Sequence, residues 1–414
     1  MFQNPAHKKT GLQLITSIWF LFCAQACVVP HLTRFYDLDL RLPDWQIGMM
    51  MALPASGAFL VQPFWGYLAD RGIGRTRAYR LAVFLAAVMV IIYSLSYSLG
   101  GFLFLLSTAL LFQMCYGATS PLSSALILSF LGKHRRHLFG KIRVWGSLSF
   151  MLTMFFITPL LVQISTSWNL PGRLFVFWGA CLFYLIAFLS TFWDETQFER
   201  HHKPQTSEFL RLFQNPNLLI LYGCIFLTSV GMSGGLQYIG PYVGYQGYSE
   251  FFYSSIWFIG VGSEVLLSFW LHSLVKRFGL KPIIIFGFMA EGTRWLGISL
   301  LHHPAFIEFF YTFHGPSVIG VFFASAMYLD SECDESIRST AQTLLYFSHM
   351  LGQVTGFLGG SLLVNYYTGY LPRIQAIQYA FFWFGVTGWL ASLIFIVGVA
   401  RAGARLPEKL TVKQ

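Results

Sequence analysis

The stretch FMAEGTRWLGISLL (288–301) holds an acid, Glu291, three residues before a base, Arg294, in a run that is otherwise apolar on both sides. Residues three apart on a helix share a face, so the spacing aims both groups the same way. Glu264 and His314 are two further ionisable residues set in apolar runs. An ionised group at the centre of an apolar slab costs at least about 2.5–3.5 kcal/mol. Such groups make sense only against one another or against water. The chemistry open to them is proton exchange. Burial and a neighbouring cation act on a carboxylate in opposite directions, and their balance decides whether it holds a proton. Two readings of these residues stand side by side. One is a proton-exchanging set with Glu264 or Glu291 as the carrier. The other is a permanent Glu291–Arg294 pair that only eases insertion.

The elements that must position these groups are membrane helices. The 414 residues are 55% hydrophobic and 11% charged, with a mean hydropathy of +0.59. A soluble domain carries about 25% charged residues. Apolar runs near the roughly 20 residues a bilayer requires fall at 12–33, 45–69, 78–98, 101–131, 139–163 and 173–193. After the polar stretch DETQFERHHKPQTSEFLRLFQNPN come six more, at 215–244, 250–275, 281–301, 305–329, 337–366 and 374–400. The runs are too long and too uniformly apolar for barrel strands. The expected fold is therefore an all-α integral membrane protein with twelve transmembrane helices in two six-helix bundles. The expected divisions are 1–193, a cytoplasmic linker at 194–214, 215–400 and a cytoplasmic tail at 401–414. The basic, then apolar, start of the chain looks like a signal peptide. Its apolar run continues through CVVPHL, which predicts a retained first span.

Charge placement sets the orientation. With both termini inside, inner segments hold most of the 27 Lys and Arg, and the outer segments hold only Arg34, Arg41, Arg173 and Arg373. The net charge of +10 is then a topology signal, and a nucleic-acid partner, which needs a basic face on a soluble module, is excluded. At about 1.5 Å per residue, Glu291, Glu264 and His314 lie roughly 15, 16 and 13 Å into their spans and share one layer with Arg294.

Other polar residues in the spans extend the candidate site. Gln25 and Gln237 lie shortly before Pro30 and Pro241 in spans 1 and 7, and Trp19 and Tyr238 could stack a planar solute beside them. Glutamines in spans also serve helix–helix hydrogen bonding. Arg143 lies a turn inside span 5, as a solute contact or as a basic collar residue that snorkels to the interface. Spans 1–2 and 7–8 run alike, each pair ending in a basic turn, ADRGIGRTR or VKRFGLKP. Weak internal similarity of this kind marks transporters. The six cysteines show no CxxC spacing, which predicts inert thiols and no metal. The His-rich KHRRH (133–137) and the pairs at 201–202 and 302–303 lack companion ligands. The acidic ECDESIRSTAQ (332–342) suits a helix start. No nucleophile or metal constellation of an enzyme is present.

GYLADRGIGRTR resembles the inner loop signature of the major facilitator superfamily at Gly66, Asp70, Arg71, Gly74 and Arg75, with one extra residue between Arg71 and Gly74. FGKIRVWGSLSF, EVLLSFWLHSLVKRFGLKP with TRWLG, and FHGPSVIGVFFASAMYLD with IRSTAQTLLY resemble one branch of it. That branch holds phenylpropionate permeases, nucleoside–proton symporters and, more distantly, lactose permease. The resemblance implies gating roles for Asp70, Arg71 and Arg75, and solute contact for Arg143. It implies proton coupling for Glu264, Arg294 and His314, beside Glu291, which the spacing alone brings in. Where lactose permease has its proton carboxylate and its sugar-gripping acid, this chain has Ser317 and Ser124, which turns the expectation away from a galactoside. The implied function is proton-coupled symport of a small organic solute, a nucleoside or aromatic carboxylate ahead of a sugar. The alternatives are an uncoupled facilitator, a sugar symporter or a non-transporting solute sensor. The expected partners are solute, protons and membrane lipid. No cofactor is expected beyond the proton gradient. A monomer in a plasma membrane, the inner membrane of a bacterium, completes the expectation.

Overall fold

The computed structural model describes residues 5–132, 135, 138–193, 215–333 and 338–403. The expected linker at 194–214, the tail from 404, the His201–His202 pair, most of KHRRH and residues 334–337 of the acidic loop lie outside the described residues. Among the described residues the regular structure is all helical. The stretches are α1 (Lys8–Asp39), α2 (Asp44–Gly72), α3 (Arg75–Leu99), α4 (Phe102–Leu131), α5 (Phe139–Ser167), α6 (Leu174–Leu189), α7 (Pro216–Tyr245), α8 (Glu250–Phe278), α9 (Leu280–Leu300) and α10 (Pro304–Glu332). Then follow α11 (Arg338–Thr368) and α12 (Arg373–Gly403). Ten of them, all but α6 and α11, are long and apolar enough to cross a membrane.

Departures from the expected boundaries have local causes. α1 was expected to end at 33 and runs to Asp39. Pro30 has no N–H to donate, and the chain answers with a 3-10 turn at Val29–His31, a short α turn and a π turn at Phe35–Asp39. Arg34, expected in a loop, is thereby a helical residue. α2 closes in a π turn at Leu68–Gly72. A π turn holds one residue more than an α turn, which accommodates the extra residue of the ADRGIGR motif. Gly74 (φ +90°) and Gly279 (φ +77°) then reverse the chain in the two basic turns that the sequence pairs as repeats. Only glycine enters that region without a Cβ clash. α6 is shorter than the expected 173–193. Arg80 binds the carbonyl and hydroxyl of Thr191 at 2.9 and 3.0 Å just past its end.

Contacts divide the chain into two compact units, Met1–Lys203 with Gln237–Gly262, and Pro204–Leu236 with Ser263–Gln414. In the first, α1 packs on α5 and α6, α3 on α4 and α6, and α2 on α4. Its core is aromatic at Phe35, Tyr93, Phe112 and Phe177, with the Tyr93 hydroxyl donating to that of Tyr36 at 2.7 Å.

In the second unit α9 is the central element, packed on α10 and α12. Glycines let the backbones meet. A Cβ on Gly287 would lie 2.5 Å from Gly320 Cα of α10, and one on Gly292 would lie 2.8 Å from the Gly385 carbonyl oxygen of α12. These approaches hold α9 at the register that buries Glu291 and Arg294. Gly292→Ala is expected to lower stability by about 1–3 kcal/mol through overpacking, read as a lower melting temperature of purified protein. Gly359→Ala, where nothing stands within 4 Å of the new methyl, is the control and leaves it unchanged or raised.

Candidate functional site

Glu291 lies about 16 Å along α9 from Leu280, and is fully buried with Arg294. Its Oε1 accepts from Arg294 Nη2 at 2.6 Å and from the Trp295 indole N–H. Its Oε2 accepts from the Ser317 hydroxyl of α10. Arg294 sends its Nη1 to His314 Nδ1 at 2.6 Å and lies over the Trp295 ring, 4.5 Å from its centroid. A guanidinium only donates. His314 Nδ1 is therefore the acceptor, and the ring is neutral with its proton on Nε2. The chain Ser317–Glu291–Arg294–His314 thus carries one negative and one positive charge, neutral as a whole. A buried carboxylate held by three donors is a satisfied group.

The elements explain why these groups meet. The i, i+3 spacing puts Glu291 and Arg294 on one face of α9. α10 breaks at Thr312–Phe313, restarts at His314 and passes through a π turn at Ile319–Ala324. The restart sets His314 and Ser317 on the turn that faces α9. Interrupted and π-turned helices are frequent at functional sites. Ser317 supplies a donor to Glu291.

Glu264 is half-buried on α8, and its backbone packs on α10 beside the cluster. The Ser263 hydroxyl accepts from the Gly315 N–H at 2.9 Å, and a Cβ on Gly315 would lie 2.6 Å from Glu264 N.

The five predicted solute residues all lie in the first unit. Gln25 is buried and donates to the Ser120 hydroxyl at 3.0 Å. Arg143 sits 4.1 Å over the Phe22 ring. Gly146 leaves room for that stack, because a Cβ there would come within 3.0 Å of both groups. Trp19 meets Trp145 at 6.0 Å. Gln237 and Tyr238 are buried, and the Tyr238 hydroxyl donates to Asp44 at 3.0 Å. In the loop signature, Arg75 donates twice to Asp70 Oδ1, at 2.8 and 2.9 Å, while Arg71 is exposed.

A second charge network is absent from the sequence reading. Arg34 grips Glu250 with both Nη atoms, at 2.8 and 2.7 Å, and stacks 4.3 Å from the Tyr253 centroid. Arg173 donates to Glu250 Oε1 at 2.7 Å and to Asp39. Tyr245 donates to Asp37 at 2.8 Å. These residues lie at helix ends, where charges are ordinary. The available signal was the density of charge in RFYDLDLR (34–41), which is more than a turn needs.

Residues 12–390 match the model of the MFS_1 like family. The maltose permease of Geobacillus stearothermophilus is 25% identical over 350 residues, covering 82% of this chain and 84% of that protein. The putative nucleoside transporter YegT of Escherichia coli (strain K12) is 22% identical over 367 residues, covering 86% and 84%. The crystal structure of the nucleoside transporter NupG superposes with a TM-score of 0.76 at 16% identity, over 94% of this chain and 99% of that one. The POT family transporter PepTSo gives 0.74 at 10% identity, over 96% and 99%. Membrane-crossing helices, ionisable groups buried in their middles and a family match along nearly the whole length agree: the chain belongs to the MFS_1-like family and is a multi-pass membrane transporter of the major facilitator superfamily, not an enzyme.

Proposed function

We propose that this transporter is a proton-coupled symporter of a small organic solute, a nucleoside in first place, working by alternating exposure of its site to the two sides of the membrane. All twelve helices cross in this reading, in two bundles of six, with both termini in the cytoplasm and the chain a monomer in the inner membrane of a bacterium. The observation that carries it is the buried Glu291–Arg294–His314–Ser317 chain. A permanent pair that only eased insertion has no need of a neutral imidazole on the far side of the arginine. In the proposed cycle a proton enters this layer through Glu264 or Glu291. Once Glu291 is neutral, Arg294 loses its counter-charge and turns toward His314, and that repacking is the step linked to reorientation. The chemistry is an ordinary exchange of a carboxylate between pairing and protonation.

The nucleoside assignment is supported by the glutamines and aromatics of α1 and α7 and by the similarity to the putative nucleoside transporter YegT and the nucleoside transporter NupG. A sugar is the second reading, favoured by the maltose permease relative. In proteoliposomes with an imposed pH gradient, radiolabelled uridine is expected to accumulate, and a protonophore to abolish the accumulation. Glu291→Gln is expected to retain downhill uridine exchange and to lose most of the gradient-driven accumulation. Accumulation that stays fully gradient-driven in both Glu264→Gln and Glu291→Gln would sink the coupling model. Wild-type equilibration without accumulation would make the protein an uncoupled facilitator.

A further inference from the structure

α11 is 31 residues long yet stands outside the ten helices apolar enough to cross a membrane by composition. Its polar residues form a pattern. Gln342, Tyr346, His349 and Gln353 recur at steps of four, three and four, which is one stripe of a helix. The exposed apolar residues Phe347, Leu351, Leu358 and Leu362 form another. At about 100° per residue the two stripes centre about 160° apart. The second is the lipid face, so the first looks away from lipid. Gly352 and Gly356 press α11 onto α7, where a Cβ on either would collide with the carbonyl oxygens of Phe226 and Val230. The polar stripe lies just past that contact. Tyr346 there is 60% exposed, and Gln353 is half-buried with no hydrogen bond among the described residues. Gln342 is already held by the Ala326 carbonyl and Asp330, at 3.0 and 3.2 Å. His349 Nδ1 is 2.7 Å from the Ser229 hydroxyl of α7, and Phe322 stands edge-on to the ring at 4.8 Å. With Nδ1 engaged, the ring is fixed and Nε2 is held in one direction.

We propose that Tyr346, His349 and Gln353 line the aqueous solute path of this transporter, and that His349, oriented by Ser229, is a solute-recognition residue. A phenol, an imidazole and an amide offer donors and acceptors without a fixed charge. That chemistry suits a neutral, polar solute such as a nucleoside or a sugar, and gives an aromatic carboxylate no counter-ion here. The choice of uridine as probe rests on the nucleoside reading, whereas the lining of the path does not.

The test has two arms. Tyr346→Cys, Gln353→Cys, Leu351→Cys and Leu358→Cys are reconstituted separately, and a membrane-impermeant maleimide is applied. Rates are taken above the wild-type background of native cysteines. Maleimide needs the thiolate, which forms in water and not in lipid. The expected result is reaction at positions 346 and 353 at least about tenfold faster than at 351 and 358. In the second arm, thermal shift measures binding of uridine and of maltose. His349→Phe is expected to weaken the solute that binds the wild type by about tenfold or more, the loss of one good hydrogen bond, and His349→Gln, which keeps a polar group, by less. Equal labelling of the two faces overturns the lining, and unchanged binding by His349→Phe overturns the recognition role. If maltose binds and uridine does not, the nucleoside reading falls and this inference stands. If neither binds the wild type, recognition of a neutral solute by His349 falls, and the labelling rates still decide the lining.

Discussion

Replacing Glu291 alone by leucine is expected to destabilise the protein by about 3–5 kcal/mol, the cost of stranding a buried partner charge. The pair has no access to solvent: both Glu291 and Arg294 are fully buried. Without the carboxylate, Arg294 keeps only a neutral imidazole and two ring faces, and Ser317 and Trp295 lose their acceptor. The double variant Glu291→Leu/Arg294→Leu removes both charges at once. Replacing a whole buried pair with apolar side chains is often neutral or stabilising, so the double variant is expected to recover most of the stability. In the proposed cycle it is also expected to lose gradient-driven uptake, because the carboxylate whose neutralisation frees Arg294 is gone. Melting of the purified variants, followed by uptake in proteoliposomes, separates the two effects. A double variant as unstable as the single one would mean that packing, not charge pairing, holds α9 to α10. A double variant that still accumulates solute would remove this pair from the coupling step.

Arg34→Lys is expected to be nearly as damaging as Arg34→Ala, with Glu250→Ala close behind. Arg34 is 2% exposed and makes two bonds to one carboxylate while its guanidinium sits over the Tyr253 ring. An ammonium reproduces neither the fork nor the stack. Gly240 adds a steric term, because its missing Cβ is what admits the aliphatic stem of Arg34, 2.5 Å away. Glu250 is 24% exposed, so solvent screens part of its interaction and the loss is discounted to about 2–3 kcal/mol. It remains substantial because this one carboxylate serves both Arg34 and Arg173. Melting temperatures in low and high salt check the argument. A surface pair would weaken with salt, whereas this one is expected to hold. A strongly salt-dependent loss would show that the network is wet.

How much was legible in advance differs by residue. The Glu291–Arg294 pair was readable because its spacing is local and a helix converts it directly into a shared face. Its link to His314 was readable as a common depth. That Ser317 and Trp295 complete the carboxylate was not, because a serine and a tryptophan in an apolar run carry no mark of their partner. The π turns at Phe35–Asp39 and Leu68–Gly72 were likewise hidden, since one extra residue per turn leaves hydropathy unchanged. His349 was passed over although Gln342, Tyr346 and Gln353 share its stripe, because nothing in that spacing marks Ser229 as its partner.

By itself the sequence determined that this chain is a helical membrane protein, roughly where each helix runs, which face of α9 carries acid and base, and the family to which it belongs. Those properties follow from hydropathy, from the 3.6-residue period and from charge counted along the chain, all of which are local. Only the tertiary structure decided which distant donors saturate Glu291, that Arg34 and Arg173 share Glu250, and that His349 of α11 meets Ser229 of α7. Each of those depends on where a second helix lies and how closely glycines let it approach. That is settled by packing across the fold and leaves no periodic trace in either partner's sequence.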